Sequence, residues 1–239
     1  MVAEPAARRG VFITGTDTGV GKTVVAAALV RLLARHGHRV VGLKPVASGA
    51  TRTVHGLRNA DALALAAEST VPVPYRQTNP YCFEPAIAPH LAARDAAVVL
   101  SLDALVDWYA DVSSVADVAI VEGAGGWRVP LHPEGFLSDL PERLGLGVIV
   151  VVGLRLGCLS HARLTLEAIA GSGHCPFLGW IGNQVDPDFR RLEDTLETLE
   201  RLLGKPPLAV VPRLESPGAA SAVDWLDRPR LVSAVFPPQ

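Results

Sequence analysis

The sequence has no cysteine pair at C-x-x-C spacing, no block of basic residues and no apolar run long enough to cross a bilayer. Its three cysteines, Cys82, Cys158 and Cys175, are odd in number and widely separated. That argues against a disulfide framework and against a zinc site, and reduced thiols in a cytoplasmic protein are the expectation. The formal net charge is −2 with no basic stripe, so neither nucleic acid nor an anionic membrane surface is an expected partner. Apolar runs are interrupted by charge or glycine before they reach the length of a spanning helix. The opening MVAEPAARRG carries arginines but no apolar segment beyond them, which is not the pattern of a secretory signal. Residues 1–10 are expected to be a disordered lead-in and residues 11–239 a single domain, a size that allows one substantial core. The seven histidines show no metal-type spacing; His36 and His38 flank a helix end and are expected to be exposed. There is no internal repeat or low-complexity tract.

What is present is an alternation of short apolar runs with helical patterns. GVFIT, HRVVGLKPV, ADVAIVEG, LGVIVVVG, FLGWIGNQV and PLAVVP read as six strands, most of them continuously apolar, as strands covered on both faces are. TVVAAALVRLLARHG has Ala, Leu and Val at helical spacing and stops on Gly37. Further helices are expected around Ala60–Glu68, Leu102–Ser113, His161–Ala170 and Phe189–Leu203. The pattern predicts an α/β fold, a mostly parallel sheet flanked by helices in a three-layer sandwich. The stretch from Val71 to His90 holds five prolines and is expected to lack regular helix; it reads either as a surface linker or as a loop over a site.

GTDTGVGKT, residues 15–23, lies between the first strand and the first helix, where a phosphate-binding loop belongs. The first glycine of that pattern is displaced: Thr16 stands in its place, and Gly15 and Gly19 can supply the permissive backbone. Backbone N–H groups from Gly19 to Thr23 would cradle phosphate, Lys22 would reach the β- and γ-phosphates, and the Thr23 hydroxyl would face Mg²⁺. Glu122 ends an apolar strand and runs into Gly123-Ala124-Gly125-Gly126. Lys44 ends another strand ahead of Ser48, and Asp61 opens a helix; each alone is equally at home on a solvated surface. Trp127 and Trp180 fit a core as well as a ligand-stacking role, and Asn183 fits an adenine edge as well as a turn cap.

Together GTDTGVGKT, GLKPVASG, LRNADALAL, NPYCFEPAIAPH, VEGAGGW, VVGLRLGCLSHARLT and GWIGNQV resemble, in family order, the ATP-dependent dethiobiotin synthetases of biotin biosynthesis, P-loop ligases. The resemblance implies a homodimer with the substrate site at the subunit interface. It also implies the substrates ATP, CO₂ and 7,8-diaminononanoate, with Mg²⁺ as cofactor. It implies catalytic roles for Lys22, Lys44 and Thr18, and Mg²⁺ ligation by Thr23, Asp61 and Glu122. Substrate contacts fall on Ser48 and Gly125 and, from the partner, on Gly157, Cys158, Leu159 and Ser160. Nucleotide contacts fall on Gly19, Val20, Gly21, Lys22, Thr23, Val24, Asp61, Glu122, Gly123, Ala124 and Gly125. On the adenine and ribose side they fall on Asn183, Gln184, Pro212, Arg213 and Leu214. Three positions depart from what some members carry: Gly19 for glutamate, Gln184 for aspartate and Ser160 for asparagine. A nucleotide switch of the ParA or MinD kind shares the loop type and the fold class, but has no need of Lys44-Pro-Val-Ala-Ser48 or of the glycines after Glu122. Another amine- or acid-activating ligase on the same fold would differ only in its pocket lining.

Overall fold

The structure, a computed structural model, describes residues 9–132 and 135–236. Along the chain the elements run β1 (Arg9–Gly15), α1 (Lys22–Arg35), β2 (Val40–Leu43), β3 (Val46–Ala47), β4 (Thr51–Thr53), β5 (Gly56–Arg58) and α2 (Ala60–Glu68). Then follow α3 (Tyr75–Thr78), β6 (Tyr81–Cys82), α4 (Pro89–Asp95), α5 (Leu102–Ser113), β7 (Val118–Glu122), β8 (Pro130–His132), β9 (Gly135–Phe136) and α6 (Asp139–Leu144). The chain continues with β10 (Gly147–Leu154), α7 (Cys158–Ser172), β11 (Phe177–Gln184), α8 (Leu192–Leu203), β12 (Ala209–Val211), α9 (Ala219–Leu226) and α10 (Pro229–Val235).

Six strands form one parallel sheet in the order β12-β11-β10-β1-β7-β2. The continuous apolar runs have the cause expected of them, because successive residues feed two separate cores. Val11 and Ile13 of β1, with Ile149 and Val151 of β10, join α1, α9 and α10 on one face. Phe12, Val148, Val150 and Val152 join α5, α7 and α8 on the other. Helix α1 packs on the sheet and against both α2 and α9, which themselves lie on β2 and β12, and its run of small and branched residues from Val25 to Val30 is buried throughout. Strand β1 is central, and the order reverses about it: β7 and β2 lie on one side, β10, β11 and β12 on the other. The crevice beyond the carboxyl ends of the strands at such a reversal is where open α/β sheets bind ligands.

Several boundaries differ from those the sequence suggests. Arg9 and Gly10 belong to β1, while residues 1–8 of the expected lead-in lie outside the described residues. The run HRVVGLKPV is one main-sheet strand only as far as Leu43. Pro45 has no N–H with which to continue a ladder, and Val46–Ala47 pairs instead with β6. The proline-rich stretch is not without helix: α3 follows Pro74, and Pro89 stands in the first turn of α4, where a missing N–H costs nothing. The C-terminal segment packs as α9 and α10, again divided by a proline at a helix start. His38 is not exposed but half-buried, stacked on Phe236 with centroids 4.1 Å apart. Trp127 and Trp180 are core residues.

Trp180 is completely buried and its indole N–H donates to the Lys205 carbonyl at 2.8 Å. Trp180→Ala is expected to lower the unfolding free energy by about 3–5 kcal/mol, read by guanidinium denaturation. A loss below about 1 kcal/mol would mean that the surrounding shell collapses into the space.

Candidate active site

The reversal of strand order at β1 puts the loop Thr16–Gly21 at the centre of the crevice. Thr16 is not in the curved part of this loop. Its N–H donates to the Val151 carbonyl at 3.0 Å, extending the β1–β10 ladder by one residue, so this position has no need of glycine. Positive φ is supplied by Gly19 (+74°) and Gly21 (+87°). Gly15 has a different reason from the one expected: a Cβ there would stand 2.6 Å from a Val20 methyl and 3.0 Å from the Lys22 Cγ. The glycine makes room for the loop to fold back over the strand end. A Cβ on Gly21 would meet the Asn183 amide nitrogen at 2.1 Å, and that same amide donates to the Val20 carbonyl at 2.8 Å. Asn183 therefore braces the loop from the end of β11.

Three further strand ends and one helix start deliver charge to the same place. Lys44, just past β2, is 3% exposed, and Glu122, the last residue of β7, is 1% exposed. The Lys44 Nζ donates to Glu122 Oε1 at 2.7 Å and to the Gly123 carbonyl at 3.1 Å, and pairs with Asp61 Oδ2 at 2.9 Å. The Thr23 hydroxyl donates to Glu122 Oε1 at 2.8 Å, and Thr23 is also close enough to Asp61 to favour its charged form. Lys22 is buried and its Nζ donates to the Asp17 carbonyl at 2.9 Å. Asp17 in turn pairs with Arg155 at the end of β10.

Burial is the largest influence on each of these groups, and the neighbours decide the outcome. For Lys44 burial alone would lower the pKa, but Glu122 and Asp61 together raise it above the usual lysine value. For Asp61 burial raises it, and Lys44, Thr23 and Lys22 overcome that and bring it down. Glu122 is raised, by burial and by the Asp61 charge, against the pull of Lys44. Lys22 is lowered to about 8 by burial and by the Lys44 cation beside it.

The oxygen donors suit a hard divalent cation. Among the described residues Glu122 Oε2 is buried and without a hydrogen-bond partner, where buried polar groups are ordinarily paired. The described residues contain no cluster of three or more His, Cys, Asp or Glu side chains that could hold a metal alone. Thr23, Asp61 and Glu122 would thus need phosphate oxygens or water to complete a coordination shell, as Mg²⁺ commonly has them.

These groups open into one cleft of about 930 Å³. Of the residues singled out from the sequence, Thr18, Gly19, Gly21, Lys22, Thr23 and Val24 line it from the loop, and Lys44, Ser48, Asp61, Glu122, Ala124 and Gly125 from the other strand ends. Val20 is fully buried beneath the loop. Gln184 and Arg213 form a separate cluster at the ends of β11 and β12: the Arg213 N–H donates to Gln184 Oε1 at 3.4 Å and its guanidinium to the Val185 carbonyl at 2.9 Å. Gly157 to Ser160 lie at the start of α7, outside the cleft, after a 93% exposed Leu156.

Sequence reasoning missed Asn59, the N-cap of α2, whose Oδ1 accepts from the Asp61 and Ala62 N–H groups at 3.0 and 3.2 Å. An asparagine directly before a helical pattern was the available signal. It also missed Arg128, on the cleft wall and paired loosely with Asp139 and Glu142 at 3.5 and 3.9 Å; nothing in its local pattern marks it.

A phosphate anion beside Lys22 restores its pKa toward or above the ordinary value. Below pH 7 the amine is protonated with or without ligand, while near pH 8.5 the free protein has largely lost that proton and the complex regains it. ADP binding at pH 8.5 is therefore expected to take up a proton through Lys22, and binding at pH 6.5 to take up none there. Calorimetry in buffers of differing ionisation enthalpy reads this directly, and Lys22→Met should abolish the uptake. Equal uptake at both pH values, or uptake surviving in the variant, would contradict the assignment.

A family model described as an AAA domain matches residues 9–221. ATP-dependent dethiobiotin synthetase BioD of Chromohalobacter salexigens is 51% identical over 231 residues, covering 91% of this chain and 97% of the relative. The protein of that name from Pseudomonas paraeruginosa is 52% identical over 217 residues, covering 90% of this chain and 95% of the relative. Among solved structures, the septum site-determining protein MinD of Pyrococcus horikoshii, complexed with Mg-ADP, aligns with a TM-score of 0.56 at 17% identity over 96% of both chains. A ParA family ATPase from Chlorobium tepidum gives the same TM-score, identity and coverage. At that identity the structural likeness speaks for the fold alone, a P-loop ATPase sheet. The half-identical relatives, aligned over nearly their whole length, carry the identification: the chain belongs to the ATP-dependent dethiobiotin synthetase family.

Proposed function

We propose that the cleft joins CO₂ to 7,8-diaminononanoate at the expense of ATP, giving dethiobiotin, ADP and phosphate. The observation that carries this reading is Lys44, held between Asp61 and Glu122 in the same cleft as Lys22 and the phosphate loop. A nucleotide switch has no use for a second buried ammonium there; a reaction that builds up negative charge on an acyl phosphate does.

The reaction divides into three steps. One substrate amine attacks CO₂ and, losing a proton, becomes a carbamate. A carbamate oxygen then attacks the γ-phosphorus, ADP leaves, and a carbamic-phosphoric anhydride remains. The second amine attacks the anhydride carbon, and the ureido ring closes as phosphate departs and a proton is released. Loop N–H groups from Gly19 to Thr23 hold the phosphates, and Lys22 exchanges its bond to the Asp17 carbonyl for one to the γ-phosphate. Lys44 neutralises the carbamate, with Thr18, Ser48 and Gly125 lining the space for the diamine. Bound with the nucleotide, Mg²⁺ would supply charge neutralisation across the β- and γ-phosphates. Thr23, Asp61 and Glu122 are the residues that would hold it.

Asn183, Gln184 and Pro212–Leu214 take the adenine and ribose side, which the contact between Asn183 and the loop supports. A second copy of the chain completes the site. The helix start at Gly157, Cys158, Leu159 and Ser160 would face the substrate carboxylate of the partner, with the Cys158 N–H itself held by the Arg155 carbonyl at 3.0 Å, and the exposed Leu156 and Leu164 would be covered in that dimer. No described helix is long and apolar enough to cross a membrane, which agrees with work in the cytoplasm on small molecules.

Phosphate release from ATP and Mg²⁺ with bicarbonate is expected to require the diamine and to match the ureido product mole for mole, by mass spectrometry. Diamine-independent hydrolysis without product would count for a switch ATPase instead. Lys22→Ala is expected to abolish product, and Lys44→Ala to lower kcat by about a hundredfold or more while leaving ATP affinity within a few-fold, the pattern of a group that acts on developing charge. Excess chelator should stop turnover, and added Mg²⁺ should restore it.

A further inference from the structure

The proline-rich stretch from Val71 to His90 stands apart from the catalytic roles above, yet its residues hold the backbone of Lys44 directly and, through Asn59, that of Asp61. Tyr75, at the start of α3, is the meeting point. Its hydroxyl accepts from the Asn59 backbone N–H at 2.7 Å and lies 3.2 Å from Asn79 Oδ1, to which it donates. Asn59 leads to one side of the site: Oδ1 holds the N–H of Asp61, and Nδ2 donates to the Ser48 carbonyl at 3.3 Å. Asn79 leads to the other: Nδ2 donates to the Lys44 carbonyl at 2.7 Å and to that of Tyr81 at 3.0 Å. The Lys44 N–H is held from the same segment, donating to the Thr78 carbonyl at 2.8 Å. Both asparagines are buried, and the bond from Asn79 to the Lys44 carbonyl is made away from competing water.

We propose that the Tyr75 hydroxyl is a positioning group which, through Asn59 and Asn79, sets the separation between Asp61 and Lys44. The inference rests on the functional reading above. The ring is held face-on by the Arg58 guanidinium, 4.2 Å from its centroid. Burial pushes the phenol up to about 12, so its single hydrogen stays in place over the working pH range. The hydroxyl is therefore a fixed link that accepts from Asn59 and donates to Asn79, with Cys82 Sγ as a third contact at 3.7 Å. Removing it leaves both asparagines attached to their own sides of the cleft but no longer to each other.

The test is Tyr75→Phe, which keeps the ring and its contact with Arg58. ADP affinity is measured with and without Mg²⁺ by calorimetry, alongside kcat and KM. Partners that orient metal ligands are commonly worth tenfold or more, so the tightening of ADP binding by Mg²⁺ and kcat are each expected to fall about tenfold, with Mg²⁺-free ADP affinity and KM for ATP within about twofold. Asn79→Ser is expected to act by the same route, so the double variant should be little worse than either single one. A merely structural role would lower the melting temperature and loosen ADP equally with and without Mg²⁺, and that result overturns the proposal. So does a variant indistinguishable from wild type, or full additivity with Asn79→Ser. In those cases the wild-type protein still makes dethiobiotin and still binds ADP more tightly with Mg²⁺, so the functional reading survives. If the wild type does neither, both fall together.

Discussion

One buried ammonium organises this molecule's chemistry. Lys44 lies 2.7 Å from the buried Glu122 and 2.9 Å from Asp61, which is partly exposed. Removing the Lys44 and Glu122 charges from water is costly, and the attraction between them recovers that cost only where geometry is tight and the remaining donors are satisfied. The structure meets both conditions for Lys44. Its third contact is the Gly123 carbonyl, and its own backbone is fixed through Asn79 and Thr78. Glu122 is left incomplete, with one oxygen bonded twice and the other to nothing. A pair arranged for stability alone would not leave a carboxylate oxygen stranded. One kept ready for a cationic ligand would.

The fold converges on that pair. Parallel strands all end at the same edge of the sheet, so β1, β2 and β7 deliver the phosphate loop, Lys44 and Glu122 with no further device. The loop fits over the end of β1 because two side chains are missing: the Cβ of Gly15 would strike Val20, and that of Gly21 would strike Asn183. The displacement of the first glycine follows from the same geometry, since Thr16 still belongs to the β1–β10 ladder. Lys44 is close enough to Lys22 to lower its pKa, an effect that a bound polyphosphate opposes. The charges of the cleft thus suit an anionic ligand bound with a cation.

How much of this was legible in the sequence depended on how local the cause was. The six main strands and the helices at Ala60–Glu68 and Leu102–Ser113 were readable because burial on two faces, or on one stripe, writes a periodic pattern into the chain. Lys22, Thr23 and Glu122 were readable because each sits at a strand or helix terminus beside glycine. The break of the second strand at Lys44 was not, since it depends on Pro45 and on pairing with Tyr81–Cys82, 35 residues downstream of Val46–Ala47 in register. Short elements such as the exposed hairpin of β4 and β5 bury too little to leave a pattern. Asn59, Tyr75 and Asn79 each looked like ordinary cap and turn residues, and their link to Asp61 and Lys44 exists only in three dimensions. In the proposed function the role of Gly157–Ser160 would depend on a second chain.

The central claim is that the Lys44–Glu122 pair is retained for chemistry at some expense to stability. The most direct measurement is the unfolding free energy of the double variant Lys44→Met/Glu122→Leu beside Lys44→Met alone, with dethiobiotin formation measured on both. Replacing both partners of a buried pair by apolar groups is often neutral or stabilising by about 1–4 kcal/mol, whereas removing one costs about 3–5 kcal/mol. The account predicts a double variant at least as stable as wild type and devoid of activity, with the single variant the least stable of the three. A double variant that is both strongly destabilised and still active would contradict it.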